Sequence, residues 1–360
     1  MSVQGAGSAR ISDVSRLPEH KRADSEKRPE SRFHREIEYS SSAKTRRLAT
    51  KPETSLREEV IGETDGGDRR AISWAAATDE WREWLQEAKD TRAIFENQDG
   101  REKAVPLENR FMQERQKRTY AKFHDVARGA KERFGEALTT VMLTFTASTT
   151  SGAGDWDRCP ANHLDDLLGS WPAVRRELHR ALDDRAWEYV RVLEPHESGH
   201  AHVHVALFIG GPVKPERFRP VMGAHVENTL AAGWEAHRPE GDAVSVHDGR
   251  HSERVENIAA YVANYVMSWG EDAIEAPEHE QRFDALLWAT GRRRWSMSDG
   301  AQEWAAFEEP EAEGEWELTK IEVRGAEYPI RDGGEPVTML DLDDSAAGKD
   351  PPPDRGGVTT

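Results

Sequence analysis

An alternating stretch from Glu194 to Ile209 places the tightest constraint on how this chain can fold. At its centre, His202-Val203-His204 sets one histidine on each side of an apolar residue. Because alternate side chains of an extended strand share one face of a sheet, both imidazoles project the same way, about 7 Å apart. Neutral imidazole nitrogen is a good ligand for divalent transition metals. The pattern therefore predicts a β-strand with one core-facing side and one metal-binding side.

A metal site here needs a third ligand, because two histidines alone hold a divalent ion weakly. Trp187–Glu194 reads as the preceding strand, and the turn through Pro195–Gly199 predicts a hairpin with the histidine strand. Glu194 would then lie near His202, and its carboxylate would suit Mg or Mn. His200 is a rival ligand, since the register of a hairpin is not readable from sequence. The alternative is a polar, histidine-rich strand that binds no metal.

Two tyrosines supply a candidate nucleophile. Tyr261 and Tyr265 are four residues apart in Val255–Trp269, a run without Gly or Pro that predicts a helix with both phenols on one face. A tyrosine oxygen can attack a phosphodiester and hold the 5′ phosphate as a covalent ester. A nearby metal supplies the charge stabilisation that this attack requires. The alternative is that both rings pack against a sheet.

The remaining patterns indicate an α+β fold with a central antiparallel sheet flanked by helices. Further strands are predicted at Leu138–Ala147, where threonine alternates with apolar residues over much of the length, and at Ala243–Val246. Helices are predicted around His163–Leu168, Trp171–Leu182 and Pro215–Trp234.

Composition divides the chain into four regions. Residues 1–70 are expected to be a disordered tail and residues 71–135 a helical region, with a second, basic helix at Met112–Phe134. The first helix carries a stripe of apolar residues on one face: Trp74, Trp81, Leu85, Ala88 and Phe95. Residues 136–300 hold the candidate catalytic residues, and residues 301–360 form an acidic, largely disordered tail with one strand at Leu318–Val323.

The charge of the chain is large and uneven. The net charge is −18, and lysine provides 12 of the 49 basic residues. This balance is typical of proteins that work in concentrated salt, although an ordinary acidic protein with disordered tails has a similar one. Residues 301–360 carry 16 acidic and 5 basic side chains, whereas residues 101–133 carry 5 acidic and 10 basic ones. Overall acidity therefore does not exclude nucleic acid as a partner of the middle of the chain.

Location and redox state follow from simple counts. The single Cys159 excludes a disulfide within the chain. No apolar run approaches the roughly 18 residues of a membrane span, and no signal peptide is recognisable. We expect a cytoplasmic protein with no membrane partner.

Three motifs together resemble those of the HUH endonucleases, in particular the two-tyrosine rolling-circle replication initiators (Rep proteins) of haloarchaeal plasmids and viruses. Val141–Thr146 is similar to the first Rep motif, His200–Val205 with the preceding Glu194 is similar to the histidine motif, and Tyr261–Tyr265 is similar to the tyrosine motif. The resemblance covers about Leu138–Ser298. Many relatives carry a lysine directly before the second tyrosine, where this chain has Asn264.

The resemblance implies a five-stranded antiparallel sheet of the HUH/RRM type and a metal-dependent DNA nicking-joining endonuclease. One tyrosine would become linked to the 5′ end of a nicked origin, leaving a 3′ hydroxyl to prime rolling-circle replication, and the second would end the round. The chain has no Gly-x-x-x-x-Gly-Lys-[Ser/Thr] motif. Unwinding and synthesis would then fall to a host helicase and polymerase.

A basic segment after the tyrosines is a candidate contact with single-stranded or origin DNA. Arg292, Arg293 and Arg294 offer charge for phosphates, and Trp295 offers a ring on which a base can stack. The alternative is a basic cluster at a strand edge that pairs with the acidic tail.

Three other functions compete with a replication initiator. A transposase or conjugative relaxase of the HUH class would use the same chemistry in a different process. A non-catalytic DNA-binding or metal-storage protein would bind metal without forming any protein–DNA adduct. A metal-dependent hydrolase would need further His or Asp ligands, for which the sequence offers no clear motif.

Overall fold

An antiparallel sheet of five strands organises the fold. The computed structural model describes residues 46–64, 67–150, 158–248, 272–305, 316–324 and 326–329. Its strands are β1 (Ile61–Glu63), β2 (Arg69–Ala71), β3 (Thr91–Asn97), β4 (Glu102–Pro106), β5 (Leu138–Phe145), β6 (Trp187–Pro195), β7 (Ala201–Gly210), β8 (Val244–Asp248), β9 (Trp295–Met297), β10 (Trp316–Val323) and β11 (Ala326–Pro329). The central sheet has the order β8-β5-β7-β6-β9, and every neighbouring pair in it is antiparallel. The histidine strand β7 is therefore the middle strand.

Helices lie on both faces of this sheet. They are α1 (Trp74–Lys89), α2 (Gln113–Phe134), α3 (Pro160–Gly169), α4 (Trp171–Ala181), α5 (Arg219–Asn228), α6 (Glu278–Thr290) and α7 (Asp299–Trp304). Short 3-10 turns add Glu58–Val60, Gly135–Ala137, Pro215–Phe218, Trp234–Ala236 and Ala273–Glu275. Strands and helices together confirm the predicted α+β fold with an antiparallel sheet flanked by helices.

The alternation of β7 separates two hydrophobic cores. Val203, Val205 and Leu207 face the larger core, to which α1, α3, α4, α5 and α6 contribute. Ala206 and Phe208 face a smaller core, where α2 packs through Phe123, Val126, Ala127 and Ala130. His202 and His204 share the strand face of Ala206 and Phe208 because residues two apart on a strand point the same way. The histidines thus lie on the side of the sheet against which α2 packs.

Helix α1 confirms most of the predicted apolar stripe. The Ser73 side chain accepts a hydrogen bond from the backbone N–H of Ala76 at 3.1 Å, which caps the helix. Trp74, Trp81 and Leu85 are buried, so the tryptophans belong to the core. Phe95, which the sequence analysis placed on the same helix, lies instead in β3. The helix ends at Lys89, and β3 pairs with β4 and with the distant β10. Helical periodicity cannot reveal that pairing.

Two predicted regions require correction, and one predicted strand is confirmed. Residues 46–64 and 67–70 do not belong to a disordered tail, since Leu48 and Val60 are completely buried in the larger core and β1 pairs with β2. The region 71–135 contains the β3–β4 hairpin and is not purely helical. Within 301–360, β10 and β11 join β3 and β4 in a second sheet of order β11-β10-β3-β4, which confirms the predicted strand at Leu318–Val323. The expected disorder of residues 1–45 and 330–360 lies outside the described residues.

No helix in the described part of the chain is both long enough and apolar enough to cross a membrane.

Buried neutral histidines predict a protein that is destabilised by mild acid. Burial lowers the pKa of His163 to about 3 and that of His225 to about 4, and both side chains are fully buried. An unfolded histidine titrates near pH 6.5, so between about pH 6.5 and 4 the unfolded state binds more protons and stability falls with falling pH. We expect the free energy of unfolding to drop by about 2 kcal/mol per histidine between pH 7 and pH 5.

Urea unfolding of the full chain at the two pH values measures this drop. His225→Gln should reduce the loss of unfolding free energy between pH 7 and pH 5 by about 2 kcal/mol, the contribution of one histidine. The control His179→Gln, which changes an exposed histidine, should leave that loss unaltered. Equal stability at pH 7 and pH 5 would contradict the prediction.

Candidate metal centre

Three potential ligands converge where β6 and β7 meet. In the β6–β7 ladder Glu194 lies directly opposite His202, and His204 follows two residues later on the same face. The Oε2 atom of Glu194 lies 2.8 Å from Nε2 of His202 and 2.7 Å from Nε2 of His204, and the two Nε2 atoms are 2.8 Å apart. These residues form a group that could hold a metal ion. The three side chains therefore form one cluster on the predicted metal-binding side of the β6–β7 hairpin.

The protonation states of the cluster suit a cation. Burial raises the pKa of Glu194, but hydrogen bonds from His202 and His204 outweigh this and lower it to about 2. Burial lowers the pKa of His204 despite its hydrogen bond with Glu194. At neutral pH Glu194 is thus ionised and His204 neutral, which are the forms that coordinate metals.

The donor chemistry fits a divalent ion. One carboxylate oxygen and two imidazole nitrogens form a donor set intermediate between the all-oxygen sites of Mg and Ca and the sulfur-rich sites of structural Zn. Both nitrogens that meet at the cluster are Nε2, so each histidine turns its Nδ1 away. This arrangement leaves Nδ1 of each ring for other contacts and Nε2 for an ion.

The β6–β7 turn sets the register on which the cluster depends. The backbone N–H of His196 donates to the carbonyl of His200 at 2.7 Å, and that of Gly199 donates to the carbonyl of His196 at 2.8 Å. Gly199 has φ +83°, and a Cβ atom there would lie 3.0 Å from the Trp74 ring. Only glycine meets both conditions without strain. A one-residue slip would move both histidines to the opposite face.

Substitution of Gly199 is expected to destabilise the protein. Gly199→Ala should lower the free energy of unfolding by about 2 kcal/mol, because a left-handed alanine costs roughly 1–2 kcal/mol and its methyl group would also crowd Trp74. Thermal unfolding measures this difference. The control is Gly169→Ala at the end of α3, where a Cβ atom meets nothing within 4 Å; that variant should be at least as stable as the unchanged chain. Equal stability of the two variants would contradict the role assigned to Gly199.

His200, the rival third ligand, lies away from the cluster. Its Nε2 is 3.0 Å from the carbonyl of Arg158 and its Nδ1 is 3.0 Å from the Ser198 hydroxyl. Its ring packs edge-on against Trp74 and His163. His200 precedes the first residue of β7, so the strand alternation that orients His202 and His204 does not extend to it. The alternative of His200 as metal ligand is therefore wrong for this conformation.

Polar residues around the cluster escaped the sequence analysis. Thr144 and Thr146 belong to the alternating strand segment that resembles the first Rep motif, and their hydroxyls contact His204 and His196. The signal was present as two threonines two residues apart in Leu143-Thr144-Phe145-Thr146. It could not be used without the pairing of β5 with β7, which places Thr144 opposite His204.

The predicted DNA-contact segment divides into exposed and buried members. Arg292 and Arg293 are exposed, and Arg292 pairs with Asp165 at 2.9 Å. Arg294 is buried and lies 3.3 Å from Glu280 and 3.5 Å from Asp284. Its guanidinium is occupied within the protein, so we withdraw Arg294 from the predicted DNA surface.

Trp295 lies on the same face as the cluster. It pairs with Val192 of β6, which in turn pairs with His204, so two strand spacings of about 4.8 Å each separate it from that histidine. Its half-buried ring contacts Phe123, and Nζ of Lys122 lies 5.8 Å from the ring centroid. Tyr261 and Tyr265, the predicted nucleophiles, lie outside the described residues.

Comparison with known proteins identifies the family. Residues 47–342 match the family described as "Putative rep protein (DUF1424)". The chain belongs to this Rep family. The match spans the central sheet, the metal cluster and the segment that contains both tyrosines.

The relatives of this Rep family member come from haloarchaea and a haloarchaeal virus. An "Uncharacterized 36 kDa protein" of Halobacterium salinarum is 40% identical over 291 residues, covering 77% of this chain and 91% of the relative. A protein of the same description from Halobacterium sp. (strain GN101) is 37% identical over 301 residues, with the same coverage. "Uncharacterized protein 1" of Halorubrum pleomorphic virus 1 is 23% identical over 273 residues, covering 67% of this chain and 52% of the viral protein. No solved structure matches the chain.

Proposed function

We propose that this Rep family member is an HUH endonuclease that starts rolling-circle replication by nicking one strand at a plasmid or viral origin. The observation that carries the proposal is the cluster of Glu194, His202 and His204 on one face of a central antiparallel strand. Membership of the Rep family supports replication as the process. The proposed site of action is the cytoplasm, where such an origin would be found.

The proposal assigns the nucleophile to Tyr261 or Tyr265, on the resemblance of Tyr261–Tyr265 to the tyrosine motif. Residues 249–271 follow β8, the neighbour of β5, and β5 carries the Thr144 that contacts His204. β8 runs away from the cluster end of β5, since Val244 pairs with Leu143 and Asp248 with Thr139.

In the proposed reaction the phenol oxygen of Tyr261 or Tyr265 attacks the phosphorus at the nick site. The O–P bond forms as the bond from phosphorus to the 3′ oxygen breaks, and the 3′ oxygen takes up a proton to become the priming hydroxyl. Glu194, His202 and His204 would hold Mg or Mn beside the scissile phosphate. A bound ion of this kind polarises the phosphate and stabilises the charge that builds up during displacement.

The proposed path of single-stranded DNA runs over Trp295 and the N-terminal half of α2. Trp295 lies about 10 Å from His204 across two strands, and Lys122 of α2 sits against its ring. Exposed Arg292 and Arg293 add positive charge next to it. In concentrated salt the release of counterions contributes less to affinity, so stacking on Trp295 would carry a larger share.

Covalent trapping tests the proposed function. The full chain, Tyr261→Phe, Tyr265→Phe and the double variant are mixed with end-labelled single strands from the native plasmid or viral origin, in concentrated salt with Mn or Mg. We expect a labelled protein band that needs metal, disappears with chelator, and is lost in at least one single variant and in the double variant. Metal binding without any adduct would favour a non-catalytic DNA-binding protein.

A second test separates the related HUH reactions. Recruitment of a host helicase and polymerase follows from replication initiation, whereas a transposase or relaxase would join or transfer ends instead. Because all of these reactions leave a 3′ hydroxyl, the distinguishing result is rolling-circle replication of an origin plasmid in cells that supply the helicase and polymerase, lost when both tyrosines are changed to Phe.

A further inference from the structure

Nδ1 of His204 has a defined partner on the neighbouring strand. Thr144 lies directly opposite His204 in the β5–β7 ladder, and its Oγ1 is 3.1 Å from His204 Nδ1. His204 is 6% exposed, so protein groups dominate its surroundings. A histidine that coordinates an ion through Nε2 carries its remaining proton on Nδ1. A hydroxyl oxygen at 3.1 Å can accept that proton's hydrogen bond.

His202 is held differently. Its Nδ1 is buried and has no hydrogen-bond partner among the described residues. Instead the His196 ring packs on it with a centroid distance of 4.3 Å. Nε2 of His196 in turn lies 3.2 Å from Oγ1 of Thr146. The orientation of His202 thus depends on a packed neighbour that Thr146 contacts.

The backbone of Thr146 is itself fixed from two directions. Its N–H donates to Nε2 of His237 at 3.1 Å, and its carbonyl accepts from Nε2 of His225 at 3.0 Å. His237 donates from Nδ1 to the carbonyl of Gly233 at 2.7 Å. Thr146 therefore has little freedom, and its hydroxyl provides a stationary contact for His196.

We propose that Thr144 and Thr146 are positioning residues for the metal centre. Thr144 accepts a hydrogen bond from Nδ1–H of His204 and so leaves Nε2 free to coordinate, and Thr146 orients His202 through His196. This gives the Leu143-Thr144-Phe145-Thr146 segment a chemical role beyond that of a core strand. The inference rests on the metal cluster of the proposed function but not on DNA cleavage.

Removal of a single hydroxyl tests the inference. Thr144→Val keeps the shape of the side chain and is expected to weaken Mn binding 10- to 100-fold, the range typical of outer-shell partners of metal ligands. Thr144→Ser restores the hydroxyl and should bind within about threefold of the unchanged chain. Thr146→Val should weaken binding by a smaller factor, since its effect passes through His196. Calorimetric titration of the full chain with MnCl2 measures these affinities.

Thr140 offers a matched control on the same strand and the same face. It is completely buried, and its Oγ1 has no hydrogen-bond partner among the described residues. Thr140→Val removes an equivalent hydroxyl from β5 without touching the cluster, so Mn affinity should be unaltered. Equal loss in Thr140→Val and Thr144→Val would show a general packing effect and would overturn the inference.

A spectroscopic readout reports the tautomer directly. In long-range 1H–15N spectra of histidine-labelled protein loaded with diamagnetic Zn, we expect His204 of the unchanged chain to coordinate through Nε2 and to carry its proton on Nδ1, and we expect Thr144→Val to show a mixture of Nδ1–H and Nε2–H forms. An Nε2–H form in the unchanged chain would overturn the inference, as would failure of that chain to bind Mn. Normal Mn affinities and tautomers without any DNA adduct would instead overturn the proposed nuclease while leaving the role of the threonines intact.

Discussion

His204→Ala is expected to abolish measurable Mn binding and, with it, the covalent protein–DNA adduct. His204 contributes one of the three donors that converge in the cluster, with Nε2 2.7 Å from the Glu194 carboxylate. Loss of an outer-shell contact already lowers metal affinity 10- to 100-fold, so loss of a direct ligand should exceed 100-fold. The remaining pair of Glu194 and His202 would hold a divalent ion only weakly.

Two measurements separate loss of the ligand from loss of the fold. Mn should raise the melting temperature of the unchanged chain, because an ion that binds only the folded state stabilises it. It should not raise that of His204→Ala, whatever the intrinsic stability of the variant. The control His179→Ala removes an exposed histidine from α4 and should retain both the Mn-dependent shift and the adduct. A normal Mn-dependent shift in His204→Ala would rule out the assigned ligand role.

Arg294→Ala is expected to destabilise the protein by about 3–5 kcal/mol, the range for breaking a buried ion pair from one side. Arg294 is 6% exposed and lies between the side chains of Glu280 and Asp284, which are 8% and 0% exposed. Burial raises the pKa of Asp284 to about 8 in spite of Arg294. Removal of Arg294 would take away the buried cation that lies within 3.5 Å of both carboxyl groups.

The neighbouring Arg293 provides the comparison. It is exposed, so Arg293→Ala should change stability by no more than about 0.5 kcal/mol. If it contacts DNA phosphates as proposed, the variant should bind single strands more weakly and with a shallower salt dependence. Urea unfolding and fluorescence anisotropy measure the two effects. The reverse outcome, a stable Arg294→Ala that loses DNA affinity, would restore Arg294 to the DNA surface.

Local periodicity predicted the elements that carry the site. The alternation at His202-Val203-His204 predicted a strand with both imidazoles on one face, and β7 confirms it. The tight turn after Glu194 predicted a hairpin, and β6 pairs with β7 as expected. These features follow from the two-residue period of a strand and from turn chemistry, both of which are local properties of the chain.

The sequence alone could not decide which of several neighbouring residues of similar chemistry takes a given role. The sequence favoured Glu194 over His200 as the third ligand without fixing the hairpin register, and that register places Glu194 beside both histidines. Three adjacent arginines looked alike, yet Arg294 turned inward to Glu280 and Asp284. Glu280 and Asp284 lie on α6, outside the local pattern of the three arginines. The burial of Arg294 therefore depends on how α6 packs and not on the sequence next to Arg294.

By itself, the sequence determined the α+β class, the strand that presents the histidines and the presence of a helical apolar stripe at Trp74, Trp81 and Leu85. Only the tertiary structure decided that β10 pairs with β3, that Phe95 belongs to a strand, and that Thr144 stands opposite His204. The physical reason is the range of the interactions. Alternation and helical spacing are written within a few consecutive residues, whereas strand partners and buried ion pairs join positions whose proximity exists only after the chain has folded.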